Sequence, residues 1–391
     1  MSFSVHHLSS DELGKRLRLA RENAGLTQAG AASEVDLSRT TLVAIEKGDR
    51  PVRDAELLSL IDLYGVTMNE VLRREAVHVD LVPRFRKLGA QVEVGVDEAI
   101  SLLNDFVTAE VELETLLGVE RPSNLPPERP LLPGDVRKQA EADARELRER
   151  MGLGQGPIRN VFSLLELDLG IRIYAHPLRN HVSGLFAYDD DVGACILVNS
   201  NHRYERQVAT IIHELGHTVS ARRHPDVCHE GFQHNSREER YAHAFSPAFL
   251  MPPHTVMRKL SEIRAGSKRL TRRHVIILAH YFGVSREALV RRLEALGLAP
   301  EGTWDWFGRN GGITDAQAEE VLGTSVTQSI PTVQRLTPTS VRLETLAAQA
   351  LERDLLSEGQ IAELLKIDRF KARRLRMEGE DSQDGVNQLP F

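Results

Sequence analysis

Residues 209–220 read Ala-Thr-Ile-Ile-His-Glu-Leu-Gly-His-Thr-Val-Ser and carry the sharpest chemical signal in the chain. On a helix, His213 and His217 fall on one face, four residues apart, so both imidazoles can reach a single Zn²⁺. Glu214, rotated by about 100°, stands beside that point, where a carboxylate can take a proton from water. The flanking Ile211, Ile212 and Leu215 suit a buried helix that carries its ligands on the inner face. A catalytic zinc needs a third protein ligand and an open position for water. The downstream run SREERYAHAFSPAFLMPP, read as a helix, offers Glu238 and Glu239.

Several elements must hold these groups in place. IRIYAHPL and ACILVNS are short β-rich runs, and Gly184 with the acidic DDD between them suggests a hairpin or small sheet. A helix over 204–221 follows, then a His-rich loop, then a helix from about 236 to 250 stopped by Pro252 and Pro253. In that loop His224, Cys228, His229 and His234 read in one of two ways. They are a second metal site or a thiol capping the zinc, or they are scattered polar residues. Helices continue to about 296, and residues 258–294 hold ten Lys/Arg against three Glu. That face is either solvated or a contact for DNA phosphates or an acidic partner.

At the other end, apolar residues from Leu13, Leu17 and Leu19 to Leu42, Ile45, Leu57, Leu60, Ile61 and Leu63 suit several short helices. Gly25 and Gly48 sit where helices end, and Ser38 is a good N-cap. Residues 28–46 have the length of two short helices joined by a tight turn, the helix-turn-helix. RLRLARENAGLTQ and SRTTLVAIEKGDRPV closely resemble the XRE family of helix-turn-helix domains over about 60 residues. The resemblance implies that Ser38, Arg39, Thr40 and Thr41 open the recognition helix, with Arg39 and Thr41 reaching bases or phosphates. It also implies that Gln28 opens the preceding helix and contacts phosphate. Ala31 replaces the usual leucine of that family, and Asp36 takes the turn position usually held by glycine.

The region from about 135 to 255 resembles the ImmA/IrrE metallopeptidase family. The shared features are ILVNS, TIIHELGH and the spacing of Glu239, Ala242, Phe245, Leu250, Met251 and Pro252. The resemblance makes Glu239 the third zinc ligand, with Glu238 the fallback, and places His243 where the family has asparagine. It implies water-mediated peptide hydrolysis with Glu214 as proton carrier. Tyr188, Tyr204, Tyr241 and His243 are candidate donors to the oxyanion. The substrate class it implies is a repressor-type protein, or the chain itself, in a stress-response or mobile-element switch. The rival reading is a repressor or antitoxin whose peptidase-like domain binds a partner or senses a signal without cutting.

The 391 residues, 41% hydrophobic and 27% charged, indicate a globular protein of several modules. The expected division is 11–75 for the helix-turn-helix, 76–134 for a helical connector (helix 95–117) and proline-rich linker, 135–300 for the peptidase and 301–391 for a helical end. The fold class is α+β and mainly helical: an all-α head, a zincin-like domain with a small sheet, and a helical C-terminal region. Residues 308–340 read as a loop or second linker, 341–377 as helical, and the last dozen as disordered. LLSEGQIAELLKIDRFKARRLRME is either a second helix-turn-helix or a packing and dimerisation module. A net charge of −7, with ten basic and twelve acidic residues in 1–75, argues against strong non-specific DNA affinity. Binding to a specific duplex operator as a homodimer is the expectation. Two cysteines, no long apolar run and no leader-like start lead to the expectation of a cytoplasmic protein with no membrane partner.

Overall fold

A computed structural model describes residues 10–66, 81, 95–179, 181–223, 225–229, 236–266, 269–323 and 340–386. The chain divides into two compact units, Met1–His78 and Val79–Phe391.

In the first unit, helices α1 (Ser10–Asn23), α2 (Gln28–Glu34), α3 (Arg39–Glu46) and α4 (Asp54–Tyr64) close around Leu17, Ala31, Leu42, Ile45 and Leu60. Thr27 and Ser38 cap α2 and α3, their hydroxyls accepting from the Gly30 and Thr41 amides at 3.1 and 3.0 Å. Between the two helices Asp36 adopts φ 58°, the left-handed turn conformation that short polar residues tolerate. Leu19 departs from the expected apolar pattern and is 59% exposed, because two helical steps from Leu17 carry it to the far side. A polar link the pattern does not reveal joins α1 to α3: Arg21 donates to Glu46 from Nε (2.6 Å) and Nη2 (3.1 Å).

The second unit is built on a four-stranded sheet of β1 (Arg172–His176), β2 (Val182–Asp189), β3 (Gly193–Asn199) and β4 (Asp226–His229), in the order β1-β3-β2-β4. β1 runs parallel to β3, while β2 is antiparallel to both β3 and β4. Side chains alternate between two cores: Ile173, Phe186, Ile196 and Val198 enter one, and Tyr174, Leu185, Cys195 and Leu197 the other. Burial on both faces explains why ACILVNS reads as an unbroken apolar run. The sheet corrects two expectations. Gly184 lies inside β2 rather than between strands, since a Cβ there would come 2.8 Å from Thr210 Cγ2 on the overlying helix. The His-rich loop contains β4, an edge strand that pairs with β2.

The first core is covered by α6 (Val136–Arg150), α8 (Tyr204–Ser220) and α9 (Arg237–Leu250), and by a short helix α7 (Val161–Ser163) that continues as a π-turn over Leu164–Asp168. On the opposite face lies α5 (Val96–Leu117), and α15 (Val341–Glu352) and α16 (Glu358–Leu364) pack on α5 in turn. The proline-rich segment expected as a linker is instead laid along this unit. The Asn124 amide donates to Leu169 O (3.2 Å) and the Arg129 amide to Val219 O (2.7 Å), with Leu125 and Leu131 against the core. A buried charge network binds these layers. Arg172 donates to Glu114 at 2.7 Å, Tyr174 to Glu110 at 2.6 Å, and Arg342 to Glu114 at 3.1 Å.

Helices α10 (Pro253–Arg264), α11 (Arg272–Phe282), α12 (Arg286–Ala295), α13 (Thr303–Arg309) and α14 (Asp315–Leu322) complete the second unit, with α17 (Arg369–Val386) after α16. Helix α14 falls where a loop over 308–340 was expected; Thr314 caps it, accepting from the Gln317 amide at 3.3 Å, while 324–339 lie outside the described residues. Of the dozen terminal residues expected to be disordered, those up to Val386 are helical, and the last five lie outside the described residues. Of the basic residues in 258–294, Arg258, Arg269, Arg273 and Arg291 are exposed and Arg292 is buried, and several are held by acceptors of the same unit. Arg272 donates to Gly312 O (2.8 Å), Arg291 to Asp305 (2.8 Å), and Arg292 to Met251 O (3.1 Å).

Candidate metal centre

Helix α8 lies with His213, Glu214 and His217 almost wholly buried, at 5%, 0% and 3% exposure. The two histidine Nε2 atoms face each other at 3.2 Å. Ser236 caps α9 and accepts from the Glu239 amide at 3.1 Å, which puts Glu239 in the first turn facing α8. Its Oε1 stands 3.2 Å from His217 Nε2 and its Oε2 3.5 Å from His213 Nε2. Gly216 makes this approach of the helices possible, because a Cβ there would lie 3.0 Å from Ala242 Cα. The Ser246 hydroxyl donates to Ala209 O (3.1 Å), and the Tyr241 hydroxyl to Asp143 on α6 (2.8 Å), fixing α9 from both sides.

A fourth group joins them that the sequence reading missed. Asp226, at the start of β4, places Oδ2 3.8 Å from His217 Nε2. One ligand atom from each of His213, His217, Asp226 and Glu239 lies within 4.8 Å of all the others. Glu238 is not in this group, being one step round the helix from Glu239. No sequence signal marked Asp226, since its strand is four residues long and its partner β2 was not read as a strand.

The electrostatics fit a cation. Burial opposes ionisation of Glu239, yet His213 and His217 outweigh it and hold its carboxyl well below the usual range. Burial also opposes the charged form of His217, and Glu239 and Asp226 overcome it, raising its pKa. Glu214 is pushed well above the carboxylate range by burial and then by Asp226 and Glu239, and both its oxygens are buried without a hydrogen-bond partner. Two imidazoles and a carboxylate form the donor set of open zinc sites, and an unpartnered buried carboxyl beside them suits a water-handling group.

Among the proposed oxyanion donors, Tyr241 has its hydroxyl engaged by Asp143, and the Tyr188 ring lies under the Arg222 guanidinium. Tyr204 stacks on Phe162, whereas the His243 ring lies 4.6 Å from that of His213. Of the loop cluster, His224 and His234 lie outside the described residues. Cys228 and His229 are consecutive on β4 and so point to opposite faces of the sheet. Burial, with Glu214 and Asp226 nearby, pushes the Cys228 thiol well above its usual value.

In the first unit, Arg39 and Thr40 are exposed at the start of α3, and the Ser38 hydroxyl lies 2.8 Å from both Thr40 Oγ1 and Thr41 Oγ1. Gln28 opens α2, but its amide donates to Glu46 at 2.8 Å. That amide is therefore tied into the Arg21–Glu46 link.

Comparison with known proteins follows this division. Residues 167–294 match the IrrE N-terminal-like domain of the M78 peptidase family, and residues 12–76 match a helix-turn-helix domain. A 65-residue stretch is 37% identical to the HTH-type transcriptional regulator ImmR of Bacillus subtilis (strain 168), covering 17% of this chain and 51% of that protein. The chain thus spans about half the length of this curated relative. Among solved structures, ComR from Streptococcus suis aligns over 97% of both chains at 12% identity with a TM-score of 0.16. The chain is thus similar to a helix-turn-helix domain over residues 12–76 and to an IrrE-like domain of the M78 peptidase family over residues 167–294.

Proposed function

We propose that the protein is a DNA-binding transcription regulator whose second unit is a zinc endopeptidase acting on a repressor-type protein or on the chain itself. The carrying observation is the convergence of His213, His217 and Glu239 beside the unpartnered, buried Glu214. In this reading the two histidines and Glu239 hold Zn²⁺. When bound, Zn²⁺ supplies the Lewis acidity that acidifies water and polarises a peptide carbonyl. Glu214 takes the proton from the attacking water and returns it to the leaving amine. His243, beside His213, is the best-placed of the four candidates to donate to the developing oxyanion. The head reads a duplex operator through Ser38, Arg39, Thr40 and Thr41, and its acidic balance calls for a homodimer on a specific site. Gln28 would reach phosphate only after leaving Glu46. Among the described residues no helix is long and apolar enough to cross a membrane, in keeping with a cytoplasmic regulator.

Asp226 favours a second reading. As a fourth protein ligand it would close the coordination sphere, as in structural zinc sites, and the domain would bind or sense without cutting. Glu214→Gln and Asp226→Asn separate the two. For a peptidase, Glu214→Gln keeps zinc and loses cleavage of XRE-type repressors by about 10²–10⁴-fold, while Asp226→Asn keeps zinc at full stoichiometry. For a closed site, Asp226→Asn loses the metal, and regulation survives Glu214→Gln intact.

A further inference from the structure

The last three described helices repeat the geometry of the head. Ser357 caps α16 as Thr27 caps α2, accepting from the Gln360 amide at 3.3 Å. At the turn, Lys366 has φ 54° where Asp36 has φ 58°, two of only four non-glycine residues with positive φ among those described. The Ile367 amide then donates to Ala362 O at 3.0 Å, as the Leu37 amide does to Ala32 O at 2.9 Å. The second helix is capped alike, by Asp368 accepting from the Lys371 amide (2.8 Å) and by Ser38 accepting from the Thr41 amide (3.0 Å). Buried side chains fall into the same register: Ile361, Ala362, Ala372 and Leu375 stand where the head has Ala31, Ala32, Leu42 and Ile45. Every one of these pairs is separated by the same number of residues, so the two motifs align without an insertion. Helix α15 supports the second motif as α1 supports the first, with Leu343, Ala347 and Ala350 buried against it. A lysine in the left-handed region is strained, so the turn is a demand of the motif and not of the residue.

The two motifs differ in their outward faces. From Lys366 to Arg376 the chain carries six basic residues against the single acid Asp368; of the six, Lys366, Lys371 and Arg376 pair with Asp105, Glu344 and Asp354. Arg369 and Arg373 are exposed, and Phe370, next to Arg369, is 76% exposed. Arg369 occupies the place that Arg39 holds in the head, at the first position of the helix. A short capped helix before a tight turn, followed by a helix whose opening turns are basic and exposed, is the arrangement that lays a helix into the major groove. Polyanionic duplex complements that face where a second protein surface would need acids. We infer that residues 340–377 form a second helix-turn-helix that binds duplex DNA through the opening turns of α17, with Arg369 and Arg373 contacting it.

The full-length chain tests this against duplexes of about 30 base pairs selected from a random-sequence pool by the protein itself. Affinity is read by fluorescence anisotropy across a salt series. Arg369→Ala/Arg373→Ala is expected to weaken binding about tenfold or more and to lower the salt slope by about two. Arg373→Glu should weaken it further, and far-UV circular dichroism should show both variants folded, since the replaced side chains are exposed. Arg39→Ala/Thr41→Ala, which disables the head, should leave residual binding that Arg369→Ala/Arg373→Ala then removes. Affinity and slope unchanged by Arg369→Ala/Arg373→Ala would overturn the inference. So would a change of sedimentation mass in Phe370→Ala with the slope intact, because α17 would then join copies of the chain.

Discussion

Replacing Arg21 with alanine is expected to unfold the first unit while the second stays folded. Arg21 and Glu46 are 6% and 4% exposed, their side chains joined by two hydrogen bonds of 2.6 and 3.1 Å. Arg21 also satisfies the Leu26 carbonyl at 2.7 Å, so one truncation strands a buried carboxylate and a backbone acceptor together. Gln28 remains to Glu46, but a neutral amide replaces only part of a charge-assisted fork. Breaking such a pair costs roughly 3–5 kcal/mol, against a total of roughly 3–8 kcal/mol for a unit of this length. The assay is built into the composition: both tryptophans, Trp304 and Trp306, lie in the second unit. Their fluorescence melt should therefore be unchanged while helical circular dichroism loses the contribution of the first unit, and operator binding by α3 should vanish with it. Arg21→Met/Glu46→Leu, which removes both charges, is expected to restore most of the loss. An Arg21→Ala protein within about 1 kcal/mol of wild type, or a double variant as damaged as the two single losses added together, would refute the reasoning.

Three further outcomes follow from the second unit. Burial pushes the Glu166 carboxyl from 4.5 to about 7. Between those values the folded state keeps a proton that the unfolded state has released. Stability should therefore fall as pH rises through this window, by roughly 3 kcal/mol. Glu166→Gln should flatten the fall in guanidinium melts at pH 5 and 8, and parallel curves for the two proteins would count against it. Glu239→Gln should leave the purified protein with substoichiometric zinc by atomic emission, whereas Glu238→Gln should keep a full complement; equal losses would show that the first turn of α9 is not read correctly. Gly216→Val should force α8 and α9 apart at Ala242 and lower both zinc retention and melting temperature, while the same change at the open C-cap Gly283, strained only by its φ of 66°, should leave zinc untouched.

The parts of this molecule that were legible in sequence are those whose signal is local. The HELGH spacing, the cap at Ser38, and the long periodic helices α5, α8 and α9 announce themselves within one or two turns. What stayed hidden depends on partners distant in sequence. β2 went unread as a strand because it is buried on both faces and holds a glycine whose reason is Thr210 on another element. Asp226 went unread with it, since an edge strand of four residues is defined only by what it pairs with. The proline-rich stretch has the composition of a linker, and only Leu169 and Val219, far along the chain, reveal that its amides are bound. The basic run 258–294 is largely surface, as its composition suggests, but the acceptors that hold Arg272 and Arg291, Gly312 and Asp305, come later in the chain.

The pairing of Arg342 with Glu114 joins residues 228 positions apart and brings a consequence for how the chain is made. Helix α5 leaves the ribosome long before α15, so through most of translation its outer face has no cover. The helices that carry His213, His217 and Glu239 emerge during that interval, on a sheet still backed by an unfinished layer. A nascent or prematurely terminated chain therefore offers chaperones and degradative proteases an apolar flank that the finished protein lacks. Completion of synthesis is what seals the scaffold behind the histidines.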